Sequence, residues 1–226
     1  MSTQTASLPR GADAPLGATP LGTAHGTSRR VVAVFDFDGT LSDRHTFWRY
    51  LRFISTPPVF WAKVLMFLLP QIVGVLSGRI QLMDARAGFI RRFLADMPTE
   101  EEAAYARRFI DGPLRQWIRP AALRRLDWHR QQGHLTLLVS NAPENYLVSW
   151  GRSVGFDHIC GTRLATAGGR LTGMVDGDNC VNAEKVRRLQ EIVGDLDHCF
   201  IYAYGDSDGD AELLAAADRP FYRNWY

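Results

Sequence analysis

Cysteine is scarce in this 226-residue chain: Cys160, Cys180 and Cys199 are all it has, an odd number with no Cys-x-x-Cys pair. That argues against a disulfide framework or a zinc knuckle and favours a reducing compartment, with the three as small buried hydrophobes. An excess of charge of one sign is missing too. The 26 Lys and Arg residues against 24 Asp and Glu leave a net +2, too balanced to advertise nucleic acid, so no nucleic-acid partner is expected. Lysine is nearly absent, Lys63 and Lys185 being the only two. The six histidines, His45, His129 and His134 among them, show no metal-ligand spacing and default to structural or surface roles. From Met1 to Thr27 there is almost no large apolar side chain and no segment like the apolar core of a secretory signal. Such a stretch cannot offset its ordering entropy, so residues 1–28 read as a disordered tail and the protein as cytoplasmic.

What remains is an ordinary globular composition, 46% hydrophobic and 22% charged, with length for one domain or one domain carrying an insertion. A chain this long buries roughly 70% of its extended surface and needs no structural metal to fold. The run Val31–Phe35 predicts a strand buried on both faces. Pro120 starts a helix that Gly133 ends, and Leu135–Val139 gives a second buried strand. A helix follows Asn141-Ala142-Pro143, and Gly168-Gly169 joins the alternating runs 162–167 and 170–175 as a hairpin. Helices over about 182–192 and 210–217 flank a third buried strand, Cys199–Tyr204. Strands alternating with helices predict an α/β fold, a Rossmann-like three-layer core with a mainly parallel sheet. Residues 44–118 break the alternation with helical spacing only. Thr99 followed by Glu102 reads there as a capping box. The expected organisation is a core from 29–43 and 119–226, with 44–118 as an all-helical cap inserted after the first strand.

Ligands in open α/β sheets bind beyond the carboxyl ends of the strands, where this sequence concentrates carboxylates. The first strand runs into Asp36-Phe37-Asp38-Gly39-Thr40-Leu41, and the third into Gly205-Asp206-Ser207-Asp208-Gly209-Asp210. Strand alternation would set Asp36 and Asp38 on one side, about 7 Å apart. If Asp206 approaches them, like charges at ~4 Å repel by about 4 kcal/mol at an effective dielectric near 20. Either the pKa values split or a cation fills the site. Hard oxygen donors favour Mg²⁺ over zinc. Asp-x-Asp-Gly alone is often only a turn, and the second acidic cluster raises its weight. Ser140 follows the second strand and can hydrogen-bond an anion there with the amides after it, and Lys185 near a helix start can neutralise a phosphate.

Taken in order, Asp36–Leu41, Ser140, Lys185 and Gly205–Asp210 resemble the four motifs of the haloacid dehalogenase superfamily of aspartate-nucleophile phosphatases. The match spans most of the chain from Val31 onward. The helical insertion looks like the cap of the phosphoserine phosphatase branch. Tyr204–Asp210 and Ala217–Arg223 look closest to its subfamily IB, and the apolar cap segment is similar to that of the C-type phosphatidylglycerophosphate phosphatases. The glycine common before the lysine in that family is absent from Asn182-Ala183-Glu184-Lys185. The resemblance implies a phosphomonoester hydrolase with Asp36 as nucleophile and Asp38 as general acid and base. It implies Mg²⁺ on Asp36, the Asp38 carbonyl and Asp206, with Asp210 behind them. Gly39, Thr40, Ser140, Asn141 and Lys185 would hold the phosphoryl group.

Substrate choice should lie in the cap, which has eleven basic against six acidic residues over 44–118. Its apolar run over 59–76, interrupted by Lys63, Pro70 and Gln71, is open to three readings: a span, an interfacial segment or a buried cap helix. A basic, apolar cap suits a phospholipid at the inner face of a membrane and suits a small phosphorylated substrate equally. Arg49, Arg52, Arg91, Arg92 and His45 are candidate substrate contacts. Two other functions stay open: a regulator that accepts a phosphoryl group on Asp36, and a lipid-surface binding protein with little turnover.

Overall fold

The structure, a computed structural model, describes residues 29–76 and 85–224. The expected disordered tail lies outside the described residues. In chain order the elements are β1 (Arg30–Phe35), α1 (Thr46–Phe53), α2 (Pro57–Leu76), α3 (Ala85–Leu94), α4 (Thr99–Asp111) and α5 (Pro120–Gln131). There follow β2 (Leu135–Pro143), α6 (Glu144–Val154), β3 (His158–Thr162), β4 (Leu164–Ala167) and β5 (Arg170–Val175). The last are α7 (Ala183–Val193), β6 (Cys199–Gly205), α8 (Ala211–Ala215) and β7 (Arg219–Tyr222).

Five strands make one parallel sheet in the order β3-β2-β1-β6-β7. β1 sits at its centre because it is apolar on both faces. Ala33 and Phe35 pack with Tyr146, Trp150 and Tyr204 in one core cluster. Val32 and Val34 pack with Leu137, Leu189 and Ile201 in another. A two-residue period feeding two cores is what a strand covered on both faces requires. The chain winds from β1 out to β2 and β3, then returns to β6 and β7 on the opposite side. The carboxyl ends of β1, β2 and β6 therefore flank the point where the winding reverses.

Helices α1 to α4 stand between β1 and β2: Phe47 and Leu51 of α1 with Phe89, Ile90, Phe93 and Leu94 of α3 form a further apolar core, while Ala106 and Phe109 of α4 join the first cluster. The β4–β5 hairpin, turning at Gly168 and Gly169 with φ +57° and +76°, packs against α3 and adds Leu171 to that core. The apolar run 59–76 lies in α2, whose Phe60, Val64 and Phe67 face this cluster while Trp61, Leu65 and Leu69 face outward. Among the described residues no helix is long and apolar enough to cross a membrane.

Three local expectations change. β2 runs on to Pro143, so Ser140 lies inside the strand rather than after it. The run over 162–167 divides at Arg163, where the parallel edge strand β3 ends and the hairpin begins, and β7 adds a second edge that the sequence did not announce. The capping box does not form. The N-cap of α4 is Pro98, and the Thr99 hydroxyl donates instead to the Gly169 carbonyl at 3.0 Å. Glu102 turns inward to accept a hydrogen bond from the Tyr50 hydroxyl.

Candidate active site

At the end of β1 the backbone stays in the sheet for one more bond, the Asp36 amide donating to the Tyr204 carbonyl at 2.9 Å. It then turns, with the Thr40 and Ser42 amides both donating to the Phe37 carbonyl at 3.2 and 2.9 Å. Phe37, buried against Trp150, anchors the turn from below. Past Phe35 the turn bonds give the two acids different partners. Asp36 Oδ1 accepts from Lys185 Nζ at 2.6 Å. Asp38 Oδ1 accepts from the Thr46 amide at 2.9 Å and the Thr46 hydroxyl at 2.6 Å. The Thr46 oxygen also lies 2.8 Å from the Tyr146 hydroxyl.

The β1–β6 register pairs Phe35 with Tyr204, which brings Asp206 level with the β1 turn. Thr40 Oγ1 donates to Asp206 Oδ1 at 3.3 Å. Gly39 makes this approach possible: its φ is +85°, and a Cβ there would stand 2.1 Å from Asp206 Oδ2. Asp210 bridges the rest. Its Oδ1 accepts from Lys185 Nζ at 2.5 Å, while Oδ2 accepts from the Asp206 and Ser207 amides at 3.2 and 3.1 Å. Lys185 reaches this position from the first turn of α7, whose entry is tied to the β6 loop by the Asn182 amide donating to the Gly209 carbonyl at 2.9 Å.

One oxygen each of Asp36, Asp206 and Asp210 lies within 4.8 Å of the others. Three carboxylates against one ammonium, in a largely buried setting, leave net negative charge for a cation or a proton to balance. A set of hard oxygens with no His or Cys fits Mg²⁺. Beside Asp36 and Asp206 the cluster includes Asp210, whose oxygens accept from Lys185 and from two amides, while the Asp38 carboxylate is engaged by Thr46. Burial pushes Asp36 up to about 7, with Lys185 opposing and Asp210 adding to the shift. Burial also raises Asp38, against the two Thr46 donors, and raises Asp206, helped by Asp210. Burial alone would lower Lys185, but Asp36 and Asp210 outweigh it and hold the ammonium charged.

Ser140 is level with the same turn through the pairing of Phe35 with Leu138, and its Oγ accepts from the Ala142 amide at 3.2 Å. Asn141 is held away by Thr162, whose hydroxyl donates to the Asn141 carbonyl at 2.9 Å and to its Oδ1 at 3.0 Å. Asp36, Gly39, Thr40, Lys185, Asp206 and Asp210 thus meet directly, with Ser140 and Asn141 on the neighbouring strand. Sequence reasoning missed Thr46, Tyr146 and Arg86. The Arg86 guanidinium stacks over Phe47 and donates to the Asn141 carbonyl. A threonine opening the first helix after Asp38 was the one signal available for that group.

The family model described as haloacid dehalogenase-like hydrolase matches residues 33–215. The chain is 32% identical over 194 residues to "Protein CicA" of Caulobacter vibrioides, covering 85% of this chain and 86% of that one. It is 26% identical over 207 residues to "Probable phosphatase Rv3661" of Mycobacterium tuberculosis, covering 88% of this chain and 69% of that one. Among solved structures, the phospho-aspartyl intermediate analogue of phosphoserine phosphatase shares the fold at a TM-score of 0.54, with 20% identity and 84% of each chain covered.

Proposed function

The chain belongs to the haloacid dehalogenase-like hydrolase family, and from that premise we propose that it hydrolyses phosphomonoesters through an aspartyl phosphate on Asp36. One observation carries the reading: Asp36 is a buried carboxylate just past a central strand, with Lys185 on one oxygen and Asp206 and Asp210 beside it. Relatives lend support, one being named a probable phosphatase and another fold neighbour being an analogue of a phospho-aspartyl intermediate.

In this reading Asp36 attacks phosphorus, and the bond to the departing alcohol breaks as the Asp36–phosphorus bond forms. Asp38, whose raised pKa keeps its proton nearer neutrality, gives that proton to the leaving oxygen. It then takes one from the water that attacks the acyl phosphate, which releases inorganic phosphate and restores Asp36. Lys185 and Ser140 hold phosphoryl oxygens while charge shifts among them. Asp36, Asp206 and Asp210 would hold Mg²⁺ with the Asp38 carbonyl, and the bound ion supplies positive charge to the phosphoryl group. Asp36→Asn is expected to lower phosphate release from p-nitrophenyl phosphate with Mg²⁺ by about 10³-fold or more while the thermal unfolding transition persists. Undiminished release would remove Asp36 as nucleophile. A phosphorylated Asp36 that never releases phosphate would favour the regulatory reading instead.

The substrate is a small or lipid-linked phosphate ester, and the outer face of α2 supports contact with an anionic membrane surface. Val59, Trp61, Leu65, Met66, Leu68 and Leu69 are exposed there. Arg52 lies over Phe60, Lys63 over Phe93, and Arg92 donates to the Met66 carbonyl, so cations flank the apolar strip. No Asp or Glu occurs between Asp43 and Asp84. An apolar strip edged by cations matches an anionic bilayer. The protein should sediment with phosphatidylglycerol-containing vesicles, and Trp61→Glu with Leu65→Glu should leave it in the supernatant. Equal sedimentation of both proteins would sink the contact.

A further inference from the structure

Asp38 stands at the end of a hydrogen-bonded chain that reaches back into the core. Thr46 opens α1, and its amide is one of the helix-terminal donors that find no acceptor inside the helix. That amide and the Thr46 hydroxyl both donate to Asp38 Oδ1, at 2.9 and 2.6 Å. The hydroxyl has one proton to give and two oxygens close by, Asp38 Oδ1 and the Tyr146 phenol at 2.8 Å. Tyr146 settles which way that proton points. Its side chain is fully buried, and among the described residues Thr46 is its one hydrogen-bond partner. Burial foremost holds the phenol protonated. A buried hydroxyl without an acceptor is costly, so Tyr146 donates to Thr46 Oγ1 and the Thr46 proton is left for Asp38. The phenol itself is held firmly. Tyr146 is the third residue of α6, and its ring packs against Tyr50 and Phe109 with centroids 5.0 and 5.3 Å away. The start of α6 is fixed by Glu144, which accepts from the Gly161 amide at 3.1 Å, and by Asn145, whose side chain is hydrogen-bonded to Glu102.

We infer that Tyr146 is a positioning residue for proton transfer: its phenol commits the Thr46 hydroxyl proton to Asp38 Oδ1, which fixes the carboxyl and leaves Oδ2 to carry the working proton. The inference rests on the hydrolase reading above, in which Asp38 is acid and base, and adds to it a residue from α6. As the ester oxygen–phosphorus bond breaks, the leaving oxygen takes the proton from Asp38 Oδ2. The negative charge left on Asp38 is met at Oδ1 by the two Thr46 donors. In the second half Oδ2 takes a proton from the attacking water, and that charge is neutralised again. A phenylalanine at position 146 would keep the ring packed but free the Thr46 hydroxyl to rotate, so the carboxyl would lose one of its two fixed donors. The cost falls on steps in which Asp38 moves a proton, which separates positioning from support of the fold.

The test compares p-nitrophenyl phosphate with phenyl phosphate, using the full chain with Mg²⁺. A nitrophenolate departs without help, whereas the more basic phenolate gains from a proton as it leaves. The readout is therefore the quotient of kcat/KM for the nitrophenyl ester over that for the phenyl ester. Tyr146→Phe should raise this quotient about tenfold, the scale of one hydrogen bond, while the thermal unfolding transition persists. Thr46→Val reads the same contact from its other side and should raise the quotient at least as far, with Thr46→Ser returning it toward the parent value. Adding Tyr146→Phe to Thr46→Val should raise it no further, because both act through one hydroxyl. A quotient that Tyr146→Phe or Thr46→Val leaves within about twofold of the parent, or two effects that simply multiply, overturns the inference. Asp38→Ala tests the reading beneath it. If that substitution leaves the quotient unchanged, Asp38 is not the acid and the inference falls with that role. If it steepens the quotient and Tyr146→Phe does not, the positioning role alone is lost.

Discussion

Gly39 carries no side chain, and the approach of the β6 loop to the β1 turn depends on that. Gly39→Ala would put a methyl group where Asp206 Oδ2 now lies, at a φ of +85° that costs an alanine about 1 kcal/mol. The expected result is a drop in turnover of about 100-fold, the scale of an ångström's misplacement of a catalytic group. The Mg²⁺ concentration for half-maximal rate should rise with it, and melting should shift by only a few degrees. Titration of the rate against Mg²⁺ beside a thermal melt checks both. At this scale the sequence was readable wherever a residue is fixed by its position just past a strand, as Asp36 and Asp206 are. It was unreadable where a turn decides direction. That the Asp38 carboxylate accepts from Thr46, and that the 3-10 turn Asp208–Asp210 sets Asp210 on Lys185, follow from turn bonds with no periodic signature.

Between elements, the tie of α1 to α4 runs through Tyr50 and Glu102, both buried, the carboxylate accepting from the phenol. Burial raises the pKa of Glu102, and donors from Tyr50 and Asn145 oppose the rise, so α6 is tied in as well. Glu102→Ala should destabilise by about 2 kcal/mol, since it strands a buried hydroxyl and opens a cavity. Pairing Tyr50→Phe with Glu102→Leu should recover part of that loss, because two apolar partners leave no unpaired group. A double-mutant cycle by denaturant unfolding measures the difference. The capping box at Thr99 failed for the same reason that this tie exists: a buried acceptor for Tyr50 and a hairpin carbonyl for Thr99 outcompeted local helix chemistry. Long apolar runs such as β1 and β6 were plain from sequence. β3 and β7, with five and four residues, a glycine in one and a proline in the other, were too short for periodicity to speak.

Across the whole molecule, one polar set ties the end of α5 to β6 in the middle of the sheet. His129 Nδ1 lies 2.8 Å from His134 Nδ1, and its Nε2 lies 2.9 Å from the Tyr204 hydroxyl. Burial foremost, with His134 and Arg125 after it, pushes His129 down to about 3. In the unfolded chain the imidazole takes its proton near pH 6.5. Between those values the unfolded state binds the extra proton, so this stability is complete above pH 6.5 and is lost as pH falls toward 3. The loss from pH 6.5 to pH 5 is about 2 kcal/mol. His129→Gln should flatten that part of the stability curve, which unfolding midpoints at half-unit pH steps would show. The parallel α/β class was legible because β1, β2 and β6 are continuous apolar strands. The seating of the hairpin on α3 was not, because it depends on contacts between distant stretches. The central place of β1 also has a kinetic side. Its partners on that side come late, Lys185 lying 149 positions after Asp36 and Asp206 166 after Thr40. During synthesis on the ribosome, one flank of the most apolar strand therefore stays open until nearly the whole sheet has been translated, so the nascent chain is the form most in need of a chaperone.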